Sequence, residues 1–210
     1  MDAFSNSEYT YWWGPISAIR LWSEERILRR FADPNTQQFK VVDDANGTVV
    51  AWAKWDPPSQ MTGLAEGFVV YNETCQPITT SLTPATQIER GGGKADGQAS
   101  TKRYAPGPPE GSNSGLFKTF FDGIADMEKK YQAEKKLVLT HLCTRHNYQG
   151  RGIGSALLRS VLDLADREGL SAYLEATRVG LPLYRKLGYK VVDTLDFDRK
   201  EAGFATPATL

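Results

Sequence analysis

The clearest change of hydrophobic period in this chain falls across residues 137–165, LVLTHLCTRHNYQGRGIGSALLRSVLDLA. The apolar run Leu137-Val138-Leu139 continues through Thr140-His141-Leu142-Cys143 with a strand's alternating, β-branched character. A polar turn, Arg145-His146-Asn147-Tyr148, follows, and then Gln149-Gly150-Arg151-Gly152-Ile153-Gly154. Directly afterwards Leu157, Leu158, Val161, Leu162 and Ala165 recur at helical spacing. The pattern predicts strand, glycine loop, helix.

Upstream, the periodicity predicts a helix from Ser23, with Ser23 as N-cap, Glu24 and Glu25 in the first turn, and Ile27, Leu28 and Phe31 as the buried stripe. Asp33-Pro34-Asn35 stops it. Residues 39–44 and 48–55 read as two strands joined by the hairpin signal Asn46-Gly47. Leu116, Phe117, Phe120, Phe121, Ile124 and Met127 give a helix over 116–131, with Lys129 and Lys130 suiting its C-terminal end. Downstream, 172–177 reads as a strand, 180–189 as a short helix closed by Gly188, and Val191-Val192 as the start of another strand. A last strand is expected near 194–197, with residues 202–210 frayed. Residues 1–20 are aromatic-rich and broken by Gly14-Pro15, and no regular element is assigned to them.

Between these blocks, residues 59–112 lack sustained periodicity and carry many breakers, including Gly91-Gly92-Gly93 and Pro106-Gly107-Pro108-Pro109. A short strand at 67–71 is the one element expected there. The chain is therefore expected to be one domain over 1–210 with a flexible insertion at 59–112, which could also serve as a substrate flap.

Composition narrows the picture by exclusion. The 25 acidic and 25 basic residues balance, which argues against bulk nucleic-acid or membrane-surface binding. Two cysteines, Cys75 and Cys143, and two histidines, His141 and His146, form neither a disulfide framework nor a metal-ligand spacing, so no metal is expected. No apolar run reaches the ~18 residues of a membrane span and no secretory signal pattern opens the chain, so a cytoplasmic protein is expected.

A glycine loop between a strand and a helix presents unpaired backbone N–H groups at the positive end of the helix dipole, a setting for phosphate. The nucleoside-triphosphate loop GxxxxGK[ST] is absent, and Gly150-x-Gly152-x-x-Ser155 falls one glycine short of the dinucleotide fingerprint. The chain after Gly154, about 55 residues, is also too short for the rest of a doubly wound nucleotide domain. Gln149, Gly152 and Gly154 fit a third pattern, [Q/R]xxGx[G/A], and Leu183-Tyr184-Arg185-Lys186-Leu187-Gly188-Tyr189 follows in the order of a second signature, LYxKxGF. Together they resemble the GCN5-related N-acetyltransferase (GNAT) superfamily over residues 137–193.

The resemblance implies an α/β (α+β) fold of the GNAT acyl-CoA N-acyltransferase type, a mixed, mostly antiparallel sheet flanked by helices and splayed between the strands at 137–144 and 172–177. It implies transfer of an acetyl group from acetyl-CoA to an amine by a monomer or homodimer. Gln149, Gly150, Arg151, Gly152, Ile153, Gly154 and Ser155 would cradle the pyrophosphate, and the backbone of Leu142, Cys143 and Thr144 would pair with pantetheine amides. Tyr184 matches the tyrosine that gives a proton to the departing thiolate. The base does not transfer with the motif. His141, which titrates near neutral pH, and Glu175, whose carboxylate sits between Leu174 and Ala176, are the candidates. Cys143 reads as a small buried side chain, not a nucleophile. Balanced charge favours a small-molecule amine. A protein or peptide acceptor and a non-catalytic acyl-CoA-binding domain are the alternatives.

Overall fold

The computed structural model describes residues 16–31, 36–58, 70–71, 77–78, 107–200 and 207–210. Most of the expected insertion at 59–112, and the aromatic-rich residues 1–15, lie outside them. The elements in chain order are α1 (Ile16–Phe31), β1 (Gln37–Asp43), β2 (Thr48–Asp56), the two-residue pair β3 (Val70–Tyr71) and β4 (Pro77–Ile78), and α2 (Ser114–Lys130). Then follow β5 (Leu137–Thr144), α3 (Ile153–Arg167), β6 (Ala172–Tyr173), α4 (Leu181–Lys186), β7 (Asp196–Phe197) and β8 (Ala208–Thr209).

A four-stranded sheet, ordered β1-β2-β5-β6, carries the architecture. The Asn46-Gly47 signal makes its turn: Gly47 sits at φ +70°, and Asp43 and Asn46 side chains accept the backbone N–H groups of Ala45 and Thr48. β1 with β2 and β2 with β5 are antiparallel, whereas β5 with β6 is parallel. The mixed, mostly antiparallel α+β sheet stands as the sequence predicts.

Two register details shape the sheet. Trp55 pairs with Leu139 but Lys54 with His141, so Thr140 is an extra residue on β5. This bulge lets Val138 and His141 share one face despite their three-residue spacing. β5 and β6 pair only at Leu137↔Ala172 and Val138↔Tyr173, and beyond those two rungs they part. The strand expected over 172–177 thus ends at Tyr173, and Glu175 lies past it.

α3 covers one face. Its stripe of Ile153, Leu157, Leu158, Val161, Leu164 and Ala165 packs on Ala51, Ala53, Trp55, Leu137 and Leu139. On the opposite face Val138, Ala133 and Tyr173 form a small cluster against Tyr131, where α2 ends. A second core joins α1 and α2: Trp22 meets Phe117 edge-on at 5.7 Å, and Phe120 meets Phe197 of β7 at 5.0 Å.

Three expectations are corrected. α1 begins at Ile16, so Ser23 is a buried mid-helix residue and not a cap; Ile19 and Trp22 extend the buried stripe backwards. Val191 and Val192 are exposed and belong to no strand. The C-terminal residues do not fray throughout, since Ala208–Thr209 pairs with Asp196–Phe197 and Leu210 exchanges both backbone bonds with Leu195. Among the described residues, no helix is long and apolar enough to cross a membrane.

Candidate active site

The predicted loop is present and its geometry follows from its glycines. Gly150 and Gly152 adopt φ +75° and +83°, a region that L side chains enter at a cost, and Gly152 sits at the α3 N-cap without a capping side chain. The first-turn N–H groups of α3 have no intrahelical acceptor, as in any helix, and they open onto the loop. Nothing lies within 4 Å of where a Cβ on Gly150 would stand, so the loop's outer surface is clear.

Neighbouring side chains brace it. Gln149 Nε2 donates to Thr144 O at 3.0 Å, tying the loop to the end of β5. Arg151 Nη2 donates to Asn147 O at 2.8 Å, and its guanidinium lies 4.8 Å over the Tyr148 ring. Tyr148 Oη in turn donates to Asp43 Oδ2 at 2.7 Å, which with the backbone N–H of Ala45 holds that carboxyl below its ordinary pKa. The phosphate-type loop is thereby anchored to the β1–β2 turn. No periodicity in the sequence pointed to that strut.

Loop, β5 and α4 converge at Gly154. A Cβ there would touch Leu183 Cδ2 at 3.5 Å and Leu142 Cδ2 at 3.7 Å. α4 therefore packs against the end of β5 and the start of α3, with Tyr184 set against the same core and close to Cys143. Gly180 makes room for the tyrosine, because a Cβ on Gly180 would come within 2.8 Å of Tyr184 Cε2. Burial first, and the nearby Cys143 second, push the Tyr184 phenol up to about 12. Burial likewise pushes the Cys143 thiol up to about 12, so Cys143 is a protonated thiol at neutral pH and a poor nucleophile.

The two base candidates sit apart, His141 on β5 and Glu175 in the segment that follows β6. His141 is half-buried on the face away from α3, its ring 5.2 Å from Trp52 and its Nδ1 3.3 Å from Thr140 Oγ1. Behind it, Lys54 is almost fully buried and ion-paired with Asp56. Glu175 lines a cavity of about 510 Å³ bounded by β6, α4 and residues 187–195, together with Tyr184 and Tyr189. Tyr189 went unremarked in the sequence as anything beyond a signature position. Leu142, Cys143 and Thr144 form the open edge of β5, with Arg145 N continuing the ladder to Val50 O at 2.8 Å. Among the described residues no group of histidines, cysteines or carboxylates could hold a metal ion.

Residues 120–191, which contain β5, the loop, α3 and α4, match the family model described as an acetyltransferase (GNAT) domain. Over that segment the chain is similar to the GNAT superfamily. No curated protein matches the chain. Among solved structures, the chain is similar to a histone acetyltransferase HPA2 and related acetyltransferase from Corynebacterium glutamicum, at 20% identity over 99% of this chain and 82% of that one, with a TM-score of 0.49. It is also similar to an acetyltransferase from Trypanosoma brucei, at 15% identity over 85% and 77% of the two chains, TM-score 0.36. A third similar structure is AtaTR bound with AcCoA, at 10% identity over 98% and 88%, TM-score 0.39.

Proposed function

We propose that this protein moves an acetyl group from acetyl-CoA directly to a primary amine of a small molecule. The observation that carries the reading is the convergence at Gly154, which brings a clear-faced glycine loop and an open strand edge close to the helix that bears the half-buried Tyr184. The loop suits the cofactor chemically: positive-φ glycines without side chains, first-turn N–H groups and a helix dipole favour a pyrophosphate. Residues 149–155 would hold that group, with Arg151 supplying a cation beside it. The edge of Leu142, Cys143 and Thr144 would pair with pantetheine amides as an added strand does.

The amine nitrogen attacks the thioester carbonyl carbon, the carbon–sulfur bond breaks, and Tyr184 gives its proton to the departing thiolate. The amine's surplus proton leaves through Glu175 or His141. These separate in a pH–rate profile. Glu175→Gln or His141→Ala should remove the acidic limb of kcat/KM, and only the variant of the true base should do so. Retention of that limb in both would exclude both.

Balanced charge, 25 acidic against 25 basic residues, supports a small acceptor over a highly charged protein tail. The test is a thiol-release screen across amines, from spermidine-like polyamines to lysine peptides. Turnover confined to small amines supports the reading. Turnover on peptides alone reassigns the acceptor, and acetyl-CoA binding without any turnover makes the domain a binding module.

A further inference from the structure

The hydroxyl of Tyr189 is sealed from solvent and has no hydrogen-bond partner among the described residues. Gly188, at φ +92°, turns the chain back beneath α4, and Tyr189 N donates to Tyr184 O at 3.1 Å. The two phenol rings then meet edge-on, centroids 5.9 Å apart and planes at 70°. A phenylalanine would make the same ring contact without burying an orphaned hydroxyl, and would be the more stable choice. Phenylalanine is also the residue of the LYxKxGF signature at this position. Among the described residues nothing offsets the cost of burying that hydroxyl.

We infer that Tyr189 is a positioning residue for Tyr184, whose hydroxyl hydrogen-bonds the Tyr184 oxygen once that oxygen has given up its proton. The inference rests on the proposed role of Tyr184 as proton donor. When the proton passes to the thiolate sulfur, the Tyr184 oxygen becomes a phenolate in a desolvated site. Cys143 is the other polar group that acts on it, and a thiol is a weak donor. A change at χ1 that carries the Tyr189 hydroxyl onto that oxygen supplies a phenol donor, which is stronger, and a charged acceptor strengthens the bond further. Because the bond exists only after the proton has moved, it stabilises the transition state and leaves resting affinity alone.

The experiment measures thiol release from acetyl-CoA with spermidine as acceptor and also with water alone, so every variant is scored without depending on the acceptor. Tyr189→Phe should lower kcat about tenfold, leave KM for acetyl-CoA within about twofold, and keep or raise the melting temperature. On a Tyr184→Phe background the same change should add no further loss, since the group it serves is gone. Unchanged kcat in Tyr189→Phe, a loss that repeats in full on that background, or a loss matched by a lowered melting temperature overturns the inference and leaves Tyr184 standing. Full turnover in Tyr184→Phe removes both.

Discussion

Replacing Tyr184 with phenylalanine is expected to lower the acetyl-transfer rate by about tenfold or more while acetyl-CoA affinity changes little. The ring stays, so its packing against the sheet–α3 core is kept, and only the proton is lost. Cys143 serves as an internal gauge of what this site does to a thiol, because its pKa is pushed up to about 12, the same as Tyr184. The burial that raises the Cys143 thiol would raise a thiolate departing beside it in the same direction, which favours its taking the phenol's proton. The sign for pH follows. A phenol raised by burial stays protonated above its ordinary value, so Tyr184 should cause no alkaline fall in rate until the pH approaches about 12. Steady-state turnover of Tyr184→Phe equal to that of the parent would remove the acid role.

The loop offers an equally large effect with a matched control. Gly150→Val forces a β-branched residue to φ +75° and projects its side chain over the clear face of the loop. Gly169→Val imposes the same kind of backbone strain at φ +64°, also with nothing within 4 Å, but beyond the far end of α3. Each should cost the fold about 1–2 kcal/mol. Only Gly150→Val should weaken acetyl-CoA, by about tenfold or more, because only there would the side chain enter the proposed phosphate site. Calorimetric titration beside thermal melts separates the terms, and equal affinities in the two variants would mean the cradle is elsewhere.

What could be read from the sequence was what local chemistry decides. The Asn46-Gly47 turn, β5, the glycine loop and α3 follow from dihedral preference and period, and they sit where the pattern put them. α1 was misjudged because Ser23 is a good cap by composition. Ile19 and Trp22 bury against α2, and that distant contact carries the helix back to Ile16. Val191-Val192 has strand propensity but pairs with no strand among the described residues, and propensity without pairing makes no strand. Within the site, residue types were legible and relations were not. Nothing in the chain announces that Tyr148 reaches Asp43 across 105 positions, that Gly180 yields its volume to Tyr184, or that Tyr189 buries a hydroxyl.

The two-rung join between β5 and β6 has a thermodynamic consequence. A sheet that stops zipping at Val138 and Tyr173 leaves a length of backbone that no other strand among the described residues pairs and that a bound molecule can complete. A molecule that lines that edge becomes part of the folded state's own hydrogen-bond inventory and has no counterpart in the unfolded one. At a hundredfold excess over its Kd it would add about 2.7 kcal/mol to the stability of the native form. Heat resistance would then track the supply of co-substrate, and the seam that admits the reaction would also report whether the protein is loaded.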